Sequence, residues 1–287
     1  MNNANKVMNT QGRMIDYKAQ LDYQMLNEYI DILVQRYRII SVTSIGQTVM
    51  GKRIPMISIG RGKKTVLYVG AIYGTDWQTS SVLLRYANEL CEHIEGNGRI
   101  YNCSAAYLDV TKTVNIIPML NPDGVEYCMK GIEEDNPLYE RIISGKDVDL
   151  KKWNGNARGI DLRTGFGNDF DTGNAEGLEP ESGSLRNYLM FNRDIRMVIS
   201  LFKGNNSVQC TYESTTPPKL NSIGRSIADQ CSSEYSRCSI NGSLSSFCAK
   251  ELVIPSYEVR SEFSDQSDSF CDYYRLRSML FLAPTMI

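Results

Sequence analysis

Apolar residues recur every four positions near the start of the chain: Leu21, Met25, Tyr29, Leu33 and Tyr37, with Leu26 and Ile30 alongside. That spacing gathers them on one face of an amphipathic helix. Short β-rich runs follow at 39–43, 54–59 and 65–69, the last two separated by Gly60 and Gly62. The pattern predicts a second helix over 78–94, with Val82, Leu83, Tyr86 and Leu90 on one face. Residues 114–119 read as another strand, running into Asn121-Pro122-Asp123-Gly124. Proline fixes one turn dihedral there and glycine accepts a positive one, so this segment is expected to be a turn that shapes a loop near a cleft.

The stretch 130–181 is rich in Gly, Asn and Asp and is expected to be mostly loop. Beyond it, 197–202 reads as a buried strand, 223–231 as a helix, 252–259 as a last strand and 268–282 as a closing helix. Helices alternating with strands predict an α/β sandwich around one sheet. With no linker, repeat or low-complexity segment in view, 1–287 reads as a single domain.

Composition then narrows the chemistry. A chain of 287 residues, 42% of them hydrophobic, encloses a substantial core. Lys and Arg total 31 against 33 Asp and Glu, a net charge of −2 that argues against general nucleic-acid binding. No apolar run approaches the roughly 18 residues of a membrane span. The polar opening MNNANKVMNTQGR lacks the apolar stretch of a signal peptide, so a cytoplasmic location is expected. None of the eight cysteines is spaced C-x-x-C; they read as reduced and mostly buried. There is one histidine, His93, near the end of the second predicted helix. A surface ring favoured by the helix dipole is the plain reading, and a Ser-His or Cys-His pair the other. One imidazole bars any site that needs two from the same chain.

Seven segments in order resemble the zinc carboxypeptidase family, and within it the bacterial γ-D-glutamyl-diamino-acid peptidases that trim peptidoglycan peptides. They are SIGQTVMGKRIPMISIG (44–60), VGAIYGTDWQTS (69–80), IIPMLNPDGVEY (116–127), WNGNARGIDLRTGF (153–166), EPES (179–182), MVISLF (197–202) and IPSYEVR (254–260). The resemblance covers most of the chain and implies an α/β/α sandwich with a mixed central sheet. It also implies a zinc held by two histidines and a glutamate, with an open position for water. A glutamate on the last strand acts as general base on that water, and a tyrosine on a loop assists.

Position by position, the resemblance puts Tyr73 and Phe202 where the family has histidines, and Asp76 where it has the glutamate. Tyr73 is a phenol with an ordinary pKa of about 10 and a poor neutral-pH ligand. Phe202 has no donor atom, while Asp76 is a shorter oxygen ligand. The base position falls on Glu258, and the assisting-tyrosine position near Arg237, with Tyr235 two residues away. Arg158 aligns with the substrate-polarising arginine; the Asn-Arg pair that grips the substrate carboxylate falls on Arg163 and Thr164. Arg158 and Arg163 either pair with local acids such as Asp123 and Asp161 or bind an anionic ligand. Without a cation, Asp76 and Glu258 would face each other uncompensated, so Arg158 is expected to approach Glu258.

Two functional expectations follow. The first is a carboxypeptidase-like protein without retained zinc or zinc catalysis, whose cleft binds a peptide or carboxylate-bearing ligand through Arg158, Arg163 and Asp76. The second is an active peptidase on peptidoglycan peptides with an unusual site, using Glu258 as its base.

Overall fold

The computed structural model describes residues 20–143, 148–167, 178–211, 218–238, 240–263 and 269–287. The polar stretch 1–19, parts of the expected middle loop at 144–147 and 168–177, and the first residue of the expected closing helix lie outside these. Strands run β1 Ile40–Gln47, β2 Arg53–Gly60, β3 Lys64–Val69, β4 Arg99–Ile100, β5 Cys103–Ser104, β6 Lys112–Ile117, β7 Ile195–Lys203, β8 Ser207–Cys210, β9 Glu234–Arg237 and β10 Ser256–Ser261. Helices are α1 Tyr23–Arg36, α2 Trp77–Glu95, α3 Ala105–Thr111, α4 Pro122–Lys130, α5 Tyr139–Ile143, α6 Pro180–Phe191, α7 Pro218–Gln230, α8 Leu244–Phe247 and α9 Ser269–Leu282.

Among the described residues eight strands form one mixed sheet in the order β1-β2-β6-β3-β7-β10-β8-β9. β6, β3, β7 and β10 pair in parallel; β1, β2 and β8 join antiparallel. Strand alternation splits the core in two. Val66 and Tyr68 of β3 and Met197, Ile199 and Leu201 of β7 enter a cluster with Leu33 of α1, Tyr86 of α2 and Leu280 of α9. Leu67, Val69, Val198 and Phe202 face the other way, against Phe166, Leu185 and Phe247. Sheet strands buried on both faces explain why the runs at 65–69 and 197–202 are apolar apart from Thr65 and Ser200.

Two expected segments are built differently. Asn121-Pro122-Asp123-Gly124 starts α4 rather than making a free turn: Asn121 Oδ1 accepts the Gly124 N–H at 2.9 Å, with proline in the first helical turn. The last strand begins at Ser256, because 248–252 form a wide helical turn that ends in Val253 at φ +55°. The mostly-loop stretch contains α5 and a short turn at Leu150–Lys152. All eight cysteines are free thiols; four are buried and Cys271 is exposed. No described helix is long and apolar enough to cross a membrane.

Candidate functional site

After β3 the chain turns through Gly70–Tyr73 and a tight turn at Gly74–Asp76 straight into α2. The turn is tied down locally. The Ala71 N–H donates to Thr79 Oγ1 at 2.7 Å, and Asn121 Nδ2 donates to the Ile72 carbonyl at 3.1 Å. Gly74 is dictated by crowding, since a Cβ there would lie 2.4 Å from the Gly124 carbonyl oxygen and 2.5 Å from that of Trp153. This brings Tyr73 edge-on to Phe202 with ring centroids 5.5 Å apart, and buries Asp76 to 1% exposure. Loss of hydration raises the Asp76 carboxyl to about 7; the Thr75 hydroxyl and the charges of Arg260 and Lys203 offset only part of that.

Phe202 lies near the end of β7. The parallel register with β10 sets Arg260 beside it and Glu258 beside Ser200. Two-residue alternation then holds Glu258 and Arg260 on the same face as Phe202. The Arg260 guanidinium sits 4.8 Å from the Phe202 ring centroid, and that of Arg163 5.9 Å, both within cation–π range. Glu258, 4% exposed, accepts from Arg163 Nε at 3.0 Å and Nη2 at 2.8 Å. Arg260 Nη2 approaches the same oxygen at 3.5 Å. Charged donors on a buried carboxylate are the strong class of hydrogen bond.

The expected closure of Arg158 on Glu258 does not occur. Arg158 Nη1 pairs with Glu179 at 3.3 Å, and its side chain is 41% exposed. Asn156 is the reason. Its Oδ1 accepts the N–H groups of Arg158 and Ile160, while its Nδ2 donates to Glu179 at 2.6 Å and Glu181 at 3.2 Å. One buried amide thus sets both Arg158 and the acid it meets. Arg163 reaches Glu258 instead, its N–H fixed by Asp161 Oδ1 at 2.8 Å. The local-acid reading therefore describes Arg158, although its partner is Glu179 rather than Asp123 or Asp161.

The other expected positions fall as follows. The Tyr73 hydroxyl donates to Asp161 at 3.5 Å, and burial and that carboxylate raise its pKa, so it keeps its proton. Thr164 Oγ1 donates to the Asp161 carbonyl. Arg237 ends β9, and the Tyr235 hydroxyl is committed to Asn221 of α7 at 3.0 Å. Gln209, Cys238 and Ser245 line a narrow crevice beside Glu258 that has no room for a water molecule. His93 sits in the last turn of α2, its ring 5.5 Å from that of Phe281. At 1.5 Å per residue it lies about 25 Å along the helix from Asp76, too far to serve this site.

These residues do not fit zinc. The metal takes nitrogen, thiolate or carboxylate donors, commonly four in a tetrahedron. Phe202 offers none, Tyr73 stays protonated, and two guanidiniums stand at Glu258 where a dication would repel them. Among the described residues no group of three or more His, Cys, Asp or Glu is disposed to hold a metal ion. Reasoning from sequence alone missed Arg260 and Glu179. The first was signalled by its i+2 position from Glu258 on a strand, and the second by its place in the segment EPES (179–182).

The family described as "Zinc carboxypeptidase" matches residues 26–271. Gamma-D-glutamyl-L-diamino acid endopeptidase 1 of Lysinibacillus sphaericus is 26% identical over 178 residues, which is 61% of this chain and 44% of that protein. Carboxypeptidase D of Rattus norvegicus is 29% identical over 203 residues, 68% of this chain and 13% of that one. The matches thus span less than half of either relative. The solved structure of thrombin activatable fibrinolysis inhibitor superposes with a TM-score of 0.72 at 14% identity, covering 94% of this chain and 73% of its own. That likeness shows the fold.

Proposed function

Because this chain belongs to the zinc carboxypeptidase family, we propose that it keeps the family's architecture without zinc-dependent peptide hydrolysis and binds a peptide or other carboxylate-bearing ligand in the old cleft. The observation that carries this reading is the Arg163–Glu258–Arg260 cluster over Phe202. A general base needs a lone pair free for a proton on its water. Here the base-position carboxylate is buried under two guanidiniums, in a site whose other residues make a poor donor set for zinc.

The same cluster supplies a binding chemistry. Two of the five N–H donors of Arg163 go to Glu258, and its side chain stays 18% exposed. A ligand carboxylate meets those remaining donors, with exposed Arg158 on the same loop. Asp76, buried to 1% exposure, does not present its carboxylate to such a ligand.

Protein purified without chelators is expected to carry substoichiometric zinc and to leave γ-D-glutamyl-diaminopimelate peptides uncut. By calorimetric titration it should bind a dipeptide with a free C-terminal carboxylate but not its amide. Arg163→Ala should weaken that binding about tenfold, the worth of one or two charged hydrogen bonds. Stoichiometric zinc, or turnover abolished by Glu258→Gln, overturns the reading.

A further inference from the structure

A cavity of about 320 Å³ lies not at Glu258 but at the opposite end of the parallel strands. It borders Lys64 at the start of β3, Arg196 and Met197 at the start of β7, and Ser256 at the start of β10. Phe202 and Arg260 lie toward the other ends of those same strands. The walls are apolar, formed by Met197, Ile223, Ile254 and Met286 among others. Such a volume falls within the range of small-molecule sites, and an apolar interior with few convergent polar groups is their usual make-up.

The charged side chains of the rim have one sign, and the main chain of the last residue, Ile287, also lines the cavity. Lys64, Arg196 and Lys219 all line the cavity and are all exposed, and none has a carboxylate partner among the described residues. Arg196 donates only to main-chain carbonyls of its own segment. Lys112, paired with Lys64 in register across β3 and β6, adds a fourth cation behind them and donates to the main-chain oxygen of Ile287. On other parts of the surface some basic groups find acids, as Arg36 does with Glu92 and Lys130 with Asp22, while Arg38, Lys63 and Arg193 do not among the described residues. An apolar cavity under a rim of unpaired cations is complementary to a molecule with an oily body and one anionic end.

We propose that this cavity binds a small amphipathic carboxylate, its apolar tail against Met197, Ile223 and Met286 and its carboxylate at Lys64, Arg196 and Lys219. The site is independent of the cleft at Glu258, and its occupancy does not rest on the function proposed for that cleft.

Calorimetric titration of the full chain with dissolved decanoate tests it, with decanol and vesicles of phosphatidylglycerol as comparison arms. Saturable decanoate binding is expected, about tenfold tighter than decanol and weakened by salt. The double variant Lys64→Gln/Lys219→Gln, whose changes lie on the exposed rim, should lose that preference while still taking up decanol. Ile223→Trp should block both ligands by filling the cavity. The proposal is overturned if decanoate does not bind, if decanol binds as tightly, if only vesicles are bound, or if the rim variant, folded by circular dichroism, keeps wild-type decanoate affinity. Should Ile223→Trp fail to fold, the rim variant decides alone.

Discussion

Glu258 shows what one side chain needs when its surroundings change. A carboxylate at 4% exposure has lost its water and must recover hydrogen bonds and charge from neighbours, here Arg163 and Arg260. Arg163→Met is expected to cost about 1–3 kcal/mol by urea denaturation, at the low end of buried-pair losses because Arg260 remains and Arg163 is partly wet. Adding Glu258→Gln to that variant should restore most of the loss, giving a coupling well above that of an exposed pair. The positions of Tyr73, Phe202 and Glu258 were readable from motif order, because strand ends place residues by register. Which arginine serves Glu258 was not. That choice rests on Asn156, which turns the chain so that Arg158 meets Glu179 and leaves Glu258 to a residue five positions later.

Among the elements, those with a strong period were legible, and the departures came where a single side chain overrides local propensity. Asn121 turns an apparent Pro-Asp-Gly turn into the start of α4, and it also ties the Ile72 and Gly155 carbonyls through Nδ2. Asn121→Ala should therefore cost about 2 kcal/mol or more in thermal or urea unfolding, above an ordinary cap loss. Glu181 plays a comparable part at the start of α6. It is fully buried, accepts the Val49 N–H at 3.1 Å and the Asn156 amide, and so joins the β1–β2 hairpin to the 156–160 loop. Burial holds its carboxyl above the ordinary 4.5. The folded state thus favours the protonated form, and that contribution is complete below 4.5 and is lost as pH rises through the raised value. Glu181→Gln should gain stability relative to the wild type as pH climbs from 4 to 7; an unchanged difference in urea midpoints across that range would contradict it.

At the scale of the molecule, the sheet has two ends with different electrostatics. Toward the strand ends, Glu258 and Asp161 are interleaved with Arg163 and Arg260; at the strand starts, Lys64, Arg196 and Lys219 ring an apolar cavity whose described lining holds no acidic side chain. The α/β class followed from alternating helical and strand periods, but this polarity did not, since it depends on which strand starts the topology sets side by side. Treatment with EDTA is expected to leave the thermal midpoint unchanged, whereas a fold tied together by zinc would drop several degrees.

The guanidiniums at Glu258 also change how the protein comes into being. A charge carried on a side chain is delivered by translation itself, in fixed ratio, at the moment the strand is made. On the zinc-free reading proposed above, the site is complete when folding is complete, and no later metal-loading step remains at which it can be mismatched, starved or robbed.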